Sequence, residues 1–102
     1  MSKTLKKHLA TITKHLPDLK RHYHVKTIGV FGSVARGDAT PKSDVDILVE
    51  LSKPIGLFRF VGLEQELSEL LGRKVDLVTK RALKPAIKED ILSEIIYVQK
   101  ES

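Results

Sequence analysis

The sequence predicts a small α/β protein of the α+β type, in which helices pack mainly on one face of a mixed sheet of three or four strands. Two observations carry this prediction: β-branched runs alternate with amphipathic helical stripes, and only a short polar segment joins the first two runs. That segment is too short for a crossover helix, so we expect the first two strands to be antiparallel. A full helix separates the second strand from the third and permits a parallel, right-handed crossover.

The N-terminal segment is predicted to be an amphipathic helix with an interruption. Its apolar residues recur at spacings of 4, 3, 4 and 3, the pattern of one helix face: Leu5, Leu9, Ile12, Leu16 and Leu19. Pro17 lacks the N–H that continues a helix, so we expect a helix over 4–15 and a further turn or two over 17–23. Three histidines recur every seven residues and are interpreted as a solvated helix edge: His8, His15 and His22.

The middle of the chain predicts two strands around a turn. Lys26–Phe31 is rich in β-branched residues and carries Gly29, where another backbone can approach closely. Residues 33–36 can form a short helix, and residues 37–43 are rich in turn-forming types. The second strand is predicted over 44–51.

The C-terminal half predicts a helix, a strand and a second helix. The first helix runs over 57–71 and ends at Gly72. Its predicted apolar face holds Phe60, Leu63, Leu67 and Leu70. A third strand over 73–79 follows, and the last helix starts at Leu83 with Pro85 near its beginning. The apolar residues that mark this last helix are Ile87, Ile91, Ile95 and Val98.

Length and composition limit the classes of function. The 102 residues are expected to form one domain, 1–102, with an N-terminal helical segment over 4–23 and a core over 26–98. The net charge is +5, but the basic residues are scattered and only five aromatic residues are available for base stacking, so nucleic acid is not expected as a direct partner. The chain has no cysteine, no signal peptide and no apolar run near the ~20 residues that span a bilayer, so we expect a cytoplasmic protein.

Three aspartates in predicted strands indicate a metal site. Asp44 and Asp46 share one face of the second strand, and Asp76 is the only acidic residue of the third. If these strands are neighbours in suitable register, the three carboxylates converge. Carboxylates so close repel one another unless divalent cations are bound, and oxygen ligands select Mg²⁺ or Mn²⁺. Two such ions about 4 Å apart stabilise the attacking and leaving oxygens of a phosphoryl transfer.

The segment before these aspartates has the chemistry of a phosphate site. Gly32 permits a close backbone approach, the Ser33 hydroxyl and nearby N–H groups can bind phosphate oxygens, and Arg36 can add a bidentate contact. Ser43 can support the carboxylates through a hydrogen bond or close the turn. A Gly-Ser pair alone is most often a turn, and an Asp-x-Asp alone is most often a solvated strand start. Aspartates inside two apolar strands favour a functional site, because a buried unpaired carboxylate is costly.

A Gly-Ser pair, ten residues and an Asp-x-Asp resemble the signature of DNA polymerase β-type nucleotidyltransferases. The longer strings GSVARGDATPKSDVDILVE and LGRKVDLV are similar to those of minimal nucleotidyltransferases (MNT proteins), over roughly residues 20–98. The resemblance implies the nucleotidyltransferase fold, with Asp44 and Asp46 as metal ligands. It implies that Asp76 is the third carboxylate, which helps to deprotonate the attacking group. The phosphate-binding residues that it implies are Gly32, Ser33 and Arg36.

The resemblance also implies an activity and a partner. MNT proteins are typically encoded beside a HEPN-domain RNase toxin, and as antitoxins they transfer AMP from ATP to a tyrosine of that toxin. This chain is therefore expected to be a Mg²⁺-dependent adenylyltransferase with ATP as substrate and a HEPN-domain partner. Two alternatives stay open: an antitoxin that neutralises its partner by binding alone, and a transferase acting on nucleic-acid ends. An exposed patch at Leu57, Phe58 and Val61 is compatible with a homodimer or a hetero-oligomer.

Overall fold

A computed structural model of the protein describes residues 2–98. Its helices and strands, in chain order, are α1 (Lys3–Tyr23), β1 (Val25–Phe31), α2 (Gly32–Arg36), β2 (Val45–Leu51), α3 (Gly56–Leu71), β3 (Val75–Thr79), α4 (Pro85–Glu94) and β4 (Ile96–Tyr97). A short 3₁₀ turn, Lys80–Ala82, connects β3 to α4. The four strands form one sheet in the order β3-β2-β1-β4, so the predicted α+β architecture with a mixed sheet is confirmed.

The strand pairings follow the connections that the sequence provides. β1 and β2 are antiparallel, and β2 and β3 are parallel with α3 as the crossover helix, as predicted. β4 adds a short antiparallel pairing at the outer edge of β1, where Gly29 pairs with Tyr97 and Val30 with Ile96. Gly29 also meets the expectation of a close approach, because a Cβ there would lie 2.8 Å from the Ile95 side chain and 3.0 Å from the Ile96 carbonyl oxygen.

α1 is one continuous helix, so the predicted interruption at Pro17 is wrong. Ser2 caps its start, and its hydroxyl accepts a hydrogen bond from the Leu5 N–H at 3.1 Å. Pro17 removes one helical hydrogen bond, but its ring is exposed, and Leu16 before it and Leu19 after it pack into the core. Leu16 and Leu19 are 5% and 0% exposed, and their burial keeps the helix continuous across the lost hydrogen bond.

The main core lies on one face of the sheet, between the strands and the two long helices. The helix residues buried there are Leu5, Ile12, Leu16 and Leu19 of α1 and Leu63, Leu67 and Leu71 of α3. They pack on the inward-facing residues of the central strand, Val45, Ile47 and Val49. His8 is also buried, at 4% exposure, so its assignment to a solvated helix edge is wrong. Phe58, by contrast, is 94% exposed, with Leu57 beside it, so the expected apolar patch at the start of α3 is present.

The opposite face of the sheet carries a second, smaller apolar cluster beneath α4. It consists of Phe31, Leu48 and Leu83, with the half-buried residues Val78, Ile91, Leu92 and Ile95 packed against them. The predicted continuation of the last helix to Val98 is wrong, since α4 ends at Glu94. Ile95 is extended, and Val98 donates its N–H to the Ile28 carbonyl at 2.8 Å. Backbone bonding to the free edge of β1 replaces the helical hydrogen bonds here, and β-branched isoleucines fit a strand well.

Between residues 2 and 98, every helix is too short or too polar to cross a bilayer.

Candidate active site

Asp46 and Asp76 occupy paired positions on the two parallel strands β2 and β3. Their immediate neighbours, Val45 and Ile47 on β2 and Val75 on β3, point into the main core. Because side chains alternate along a strand, the two carboxylates project from the opposite face of the sheet. Asp46 is partly buried there and Asp76 is exposed. The sequence analysis had to assume a suitable register between these strands. The observed register places the two acids side by side.

Asp44 lies one residue before β2 rather than inside it. Its carboxylate is 44% exposed, and its Oδ2 atom lies 3.9 Å from the Lys74 ammonium. The backbone N–H of Val45 bonds to the Lys74 carbonyl at 2.9 Å, which fixes Asp44 at the start of the strand pair. Among the described residues, no three acidic or histidine side chains stand close enough together to hold one ion. The inclusion of Asp44 with Asp46 and Asp76 in one ligand set therefore stays a prediction.

The electrostatics of Asp46 reflect this crowding of acids. Burial raises the pKa of the Asp46 carboxyl, and the negative charges of Asp76 and Asp44 raise it further. Arg36 opposes these effects, while Glu94 adds to them. The site thus concentrates negative charge around one partly buried carboxyl. A cluster of oxygen donors with this charge fits a hard divalent cation such as Mg²⁺ or Mn²⁺, which removes the repulsion when it binds.

Gly32, the first residue of α2, has its backbone directly against the Asp46 side chain. A Cβ at this position would overlap the Asp46 Oδ2 atom and lie 3.0 Å from its Cγ. Its φ of +75° is in the left-handed region, which glycine adopts without the steric strain of a side chain. Both facts require glycine here. The phosphate-site residues and the acidic residues predicted from the sequence therefore meet at a single contact.

Glu94, the last residue of α4, completes the site and was missed by the sequence analysis. Its Oε1 atom accepts a hydrogen bond from the Gly32 N–H at 3.0 Å. Its Oε2 atom lies 3.2 Å from the Arg36 guanidinium, which also contacts Asp38 at 3.3 Å. The two serines of the predicted phosphate site have no part in this contact. No local sequence pattern predicts the contact of Glu94 with Gly32, because a glutamate at the end of a helix is ordinary and the two residues are 62 positions apart.

The two serines have different surroundings. Ser33 lies in the first turn of α2 and is partly buried, and its carbonyl accepts the N–H groups of Gly37 and Asp38, both at 3.0 Å. Ser43 closes the turn, because its hydroxyl accepts the Thr40 N–H at 2.9 Å. Of the two roles left open for Ser43, the structure supports the turn and gives no hydrogen bond to a carboxylate among residues 2–98.

Arg73 stabilises the turn that precedes the first aspartate. Its guanidinium donates hydrogen bonds to the carbonyls of Thr40, at 2.7 Å, and Ser43, at 2.6 Å. Both carbonyls belong to the turn that leads into Asp44. Arg73 therefore ties this turn to the start of β3 and holds the approach to the first aspartate in place.

The chain matches a family described as "Nucleotidyltransferase domain" over residues 12–98. It is 44% identical to the protein adenylyltransferase MntA of Thermococcus cleftensis over 95 residues, which cover 93% of this chain and 96% of that one. A solved structure provisionally described as a minimal nucleotidyltransferase has a TM-score of 0.76 and 34% identity, over 94% of this chain and 98% of the other.

A second solved structure is a complex of a tri-AMPylated Shewanella oneidensis HEPN toxin with an MNT antitoxin. Its TM-score is 0.69 with 22% identity, and the match covers 95% of this chain and 73% of that one. At that identity the likeness shows a shared fold. The family match and the closer relatives go further, because they span nearly the whole chain. The protein belongs to the nucleotidyltransferase domain family and is an enzyme of nucleotidyltransferase type.

Proposed function

We propose that the protein transfers AMP from ATP to a tyrosine of a HEPN-domain partner and thereby acts as an antitoxin. The observation that carries this proposal is the pairing of Asp46 with Asp76 beside the backbone of Gly32. This arrangement supplies acids and a phosphate-binding N–H within one small site. Similarity to the adenylyltransferase MntA supports AMP as the transferred group. The likeness in fold to an MNT antitoxin bound to an AMPylated HEPN toxin supports the choice of partner.

The phosphate groups of ATP are assigned to the start of α2. The Gly32 N–H and the Ser33 hydroxyl are the proposed donors, and the Arg36 guanidinium adds a positive charge that acts on Asp46. Charge-assisted hydrogen bonds of this kind are roughly twice as strong as neutral ones. They orient the triphosphate so that its α-phosphate faces Asp46 and Asp76.

The three aspartates are assigned to the metal. Asp44, Asp46 and Asp76 would hold Mg²⁺ or Mn²⁺, with two ions expected. When bound, the ions neutralise the phosphate charge and stabilise the entering and leaving oxygens. The raised pKa of Asp46 supports this assignment, because the cation removes the repulsion that Asp44 and Asp76 impose on it.

Asp76 is assigned the role of taking the proton from the acceptor hydroxyl. It is exposed on the sheet face that also carries α4, where an incoming hydroxyl can reach it. In the proposed reaction the tyrosine oxygen forms a bond to the α-phosphorus and its proton passes to Asp76. The bond between the α-phosphorus and the bridging oxygen breaks, and pyrophosphate leaves. The product is a phosphodiester between tyrosine and AMP.

A basic groove at the other end of β2 and β3 from the acids is the surface that we assign to the protein acceptor. It has a volume of about 610 Å³ and lies at the C-terminal ends of β2 and β3, next to α4. Four of its lining residues are cationic: Lys53, Lys80, Arg81 and Lys88. None of them is in an ion pair with another residue of the described part of the chain. Val49 in the groove wall lies three positions after Asp46, about 10 Å along β2, so a partner that covers the groove can extend to the acids.

The proposal is tested by incubating the protein with Mg²⁺, α-labelled ATP and the HEPN protein encoded beside it. Label should appear on the partner with wild-type enzyme, and it should be absent with Asp44→Ala/Asp46→Ala. Replacing the acceptor tyrosine of the partner by phenylalanine should also remove it. Equal neutralisation of the toxin by the double variant would instead favour an antitoxin that acts by binding. Label on added RNA would favour a nucleic-acid acceptor.

A further inference from the structure

The carboxylate of Glu94 is bound to the two groups that the proposed function assigns to phosphate. It accepts the Gly32 N–H at 3.0 Å, and its oxygens lie 3.4 Å and 3.2 Å from the same Arg36 nitrogen. The Glu94 side chain is 28% exposed, so these contacts are partly shielded from water. The Glu94 carboxylate therefore already occupies the donors that a phosphate group of the nucleotide needs.

The position of Glu94 is set by packing as well as by charge. It ends α4, and the following Ile95 packs in the small apolar cluster on the same sheet face. The Ile96–Tyr97 strand then pairs with β1. With one neighbour fixed in the cluster and the next two in the sheet, the Glu94 backbone is held beside α2. Only its side chain is free to turn away.

We propose that Glu94 occupies the phosphate position in the nucleotide-free protein, so that ATP must displace its carboxylate from Gly32 and Arg36 before it binds. This inference rests on the proposed function, and it adds a residue that sets the affinity for the nucleotide. When the binding-competent form of a site is only a fraction of the population, the apparent Kd equals the intrinsic Kd divided by that fraction. Weakening the Glu94 contacts therefore tightens nucleotide binding.

Two substitutions separate displacement from a general effect of charge. Glu94→Gln keeps the shape and can still accept the Gly32 N–H, but its neutral oxygen is a weaker acceptor. Glu94→Asp keeps the negative charge, but it is shorter by one methylene, about 1.5 Å, and withdraws from Gly32. Glu89→Gln, on an exposed position of α4, is the matched control for the loss of one acidic charge.

The experiment measures the Kd of a non-hydrolysable ATP analogue with Mg²⁺ by calorimetry, for the full chain. We expect both Glu94 variants to bind about three- to tenfold more tightly than wild type, and Glu89→Gln to bind like wild type. Adenosine, which has no phosphate, should bind no better to the variants than to wild type. In nucleotide-free samples, the Gly32 amide proton should shift in both Glu94 variants, as read by NMR.

The outcomes decide the inference separately from the proposed function. Tighter binding by Glu94→Gln alone, with Glu94→Asp unchanged, would show a charge effect and overturn displacement. Weaker binding by both variants would overturn it too, since Glu94 would then be a ligand for the nucleotide complex. Tighter binding without AMP transfer to any protein would refute the proposed function and leave the displacement intact. No nucleotide binding by any variant would refute both.

Discussion

The backbone of Gly32 lies directly against the carboxylate of Asp46. This contact joins the start of α2 to the start of β2, and it leaves no space for a side chain at position 32. The two chemical halves of the site, phosphate donors and acids, are therefore held at van der Waals distance by the fold itself. In the proposed nucleotide site, Gly32 and Asp46 are therefore already in contact, whereas the side chains of Asp44 and Glu94 would have to move.

Gly32→Ala is expected to lower both stability and activity. The methyl group would overlap Asp46, and alanine at a φ of +75° is strained by about 1–2 kcal/mol. The matched control is Gly37→Ala, which has a φ of +84° but nothing within 4 Å of its Cβ. Chemical denaturation of both variants isolates the overlap. If both lose the same free energy of unfolding, the contact with Asp46 carries no steric constraint.

Asp46→Asn is expected to abolish transferase activity and to stabilise the metal-free protein. Like charges on neighbouring strands destabilise by roughly 0.2–1 kcal/mol, and Asn removes the charge beside Asp76. Thermal unfolding without divalent cations should show a rise of a few degrees, the range expected for a domain of about 100 residues. Asp90→Asn, on the exposed surface of α4, should leave the melting temperature unchanged. A lower melting temperature for Asp46→Asn would contradict the repulsion.

The raised pKa of Asp46 also predicts how the stability of the protein depends on pH. The pKa of Asp46 in the folded state is raised above its ordinary value by burial and by Asp76. Its protonated form is therefore favoured by folding, and the resulting stability is fully present below the unfolded-state pKa. That stability is lost as the pH rises through the higher folded-state pKa. In Asp46→Asn this part of the pH dependence should disappear.

His8→Leu is expected to stabilise the protein and to reduce the loss of folding stability at low pH. Burial lowers the pKa of His8, as do the positive charges of Arg73 and Lys7, so folding disfavours its protonated form. Stability should fall as the pH drops below the ordinary histidine value of about 6.5. Its Nε2 atom lacks a hydrogen-bond partner within residues 2–98, and leaving such a group buried costs about 1–3 kcal/mol. Denaturation at pH 7 and pH 5 measures both effects, with the exposed His22→Leu as control.

Charge reversal in the basic groove is expected to slow association with the partner. Lys80→Glu/Arg81→Glu places two negative charges where the wild type presents positive ones, which lowers an electrostatically assisted on-rate and reduces its dependence on salt. Surface plasmon resonance at two salt concentrations measures both quantities. Lys14→Glu, on the exposed side of α1, changes charge away from the groove and should leave the on-rate near that of wild type. An equal effect of Lys14→Glu on the on-rate would show that the groove does not direct association with the partner.

Much of this fold was predictable because it follows from short-range patterns. The 3.6-residue stripe of α1 and the alternation along β2 specify which side chains are buried. The length of each connection then specifies whether neighbouring strands run parallel or antiparallel. The ends of the elements were less predictable. Pro17 weakens a helix locally, but the burial of Leu16 and Leu19 outweighs the lost hydrogen bond.

The C-terminal residues show a second reason for error. Ile95 and Val98 continue the apolar spacing of α4, and β-branched residues are compatible with either a helix or a strand. The unpaired edge of β1 decides between them, and that edge is almost 70 residues earlier in the sequence. Glu94 escaped prediction in the same way, because its role depends on where α4 ends. The aspartates and Gly32 were found because their spacing is local, and their catalytic roles stay predictions.

The two apolar clusters are unequal in size, and this inequality has a thermodynamic consequence. α1 and α3 each bury several side chains completely, whereas α4 has no fully buried residue and rests on a few half-buried ones. Partial opening of a protein starts where few apolar contacts must be broken. The amides of α4 should therefore exchange with deuterium at a lower free energy than those of α1. We therefore expect α4 to open before the main core melts.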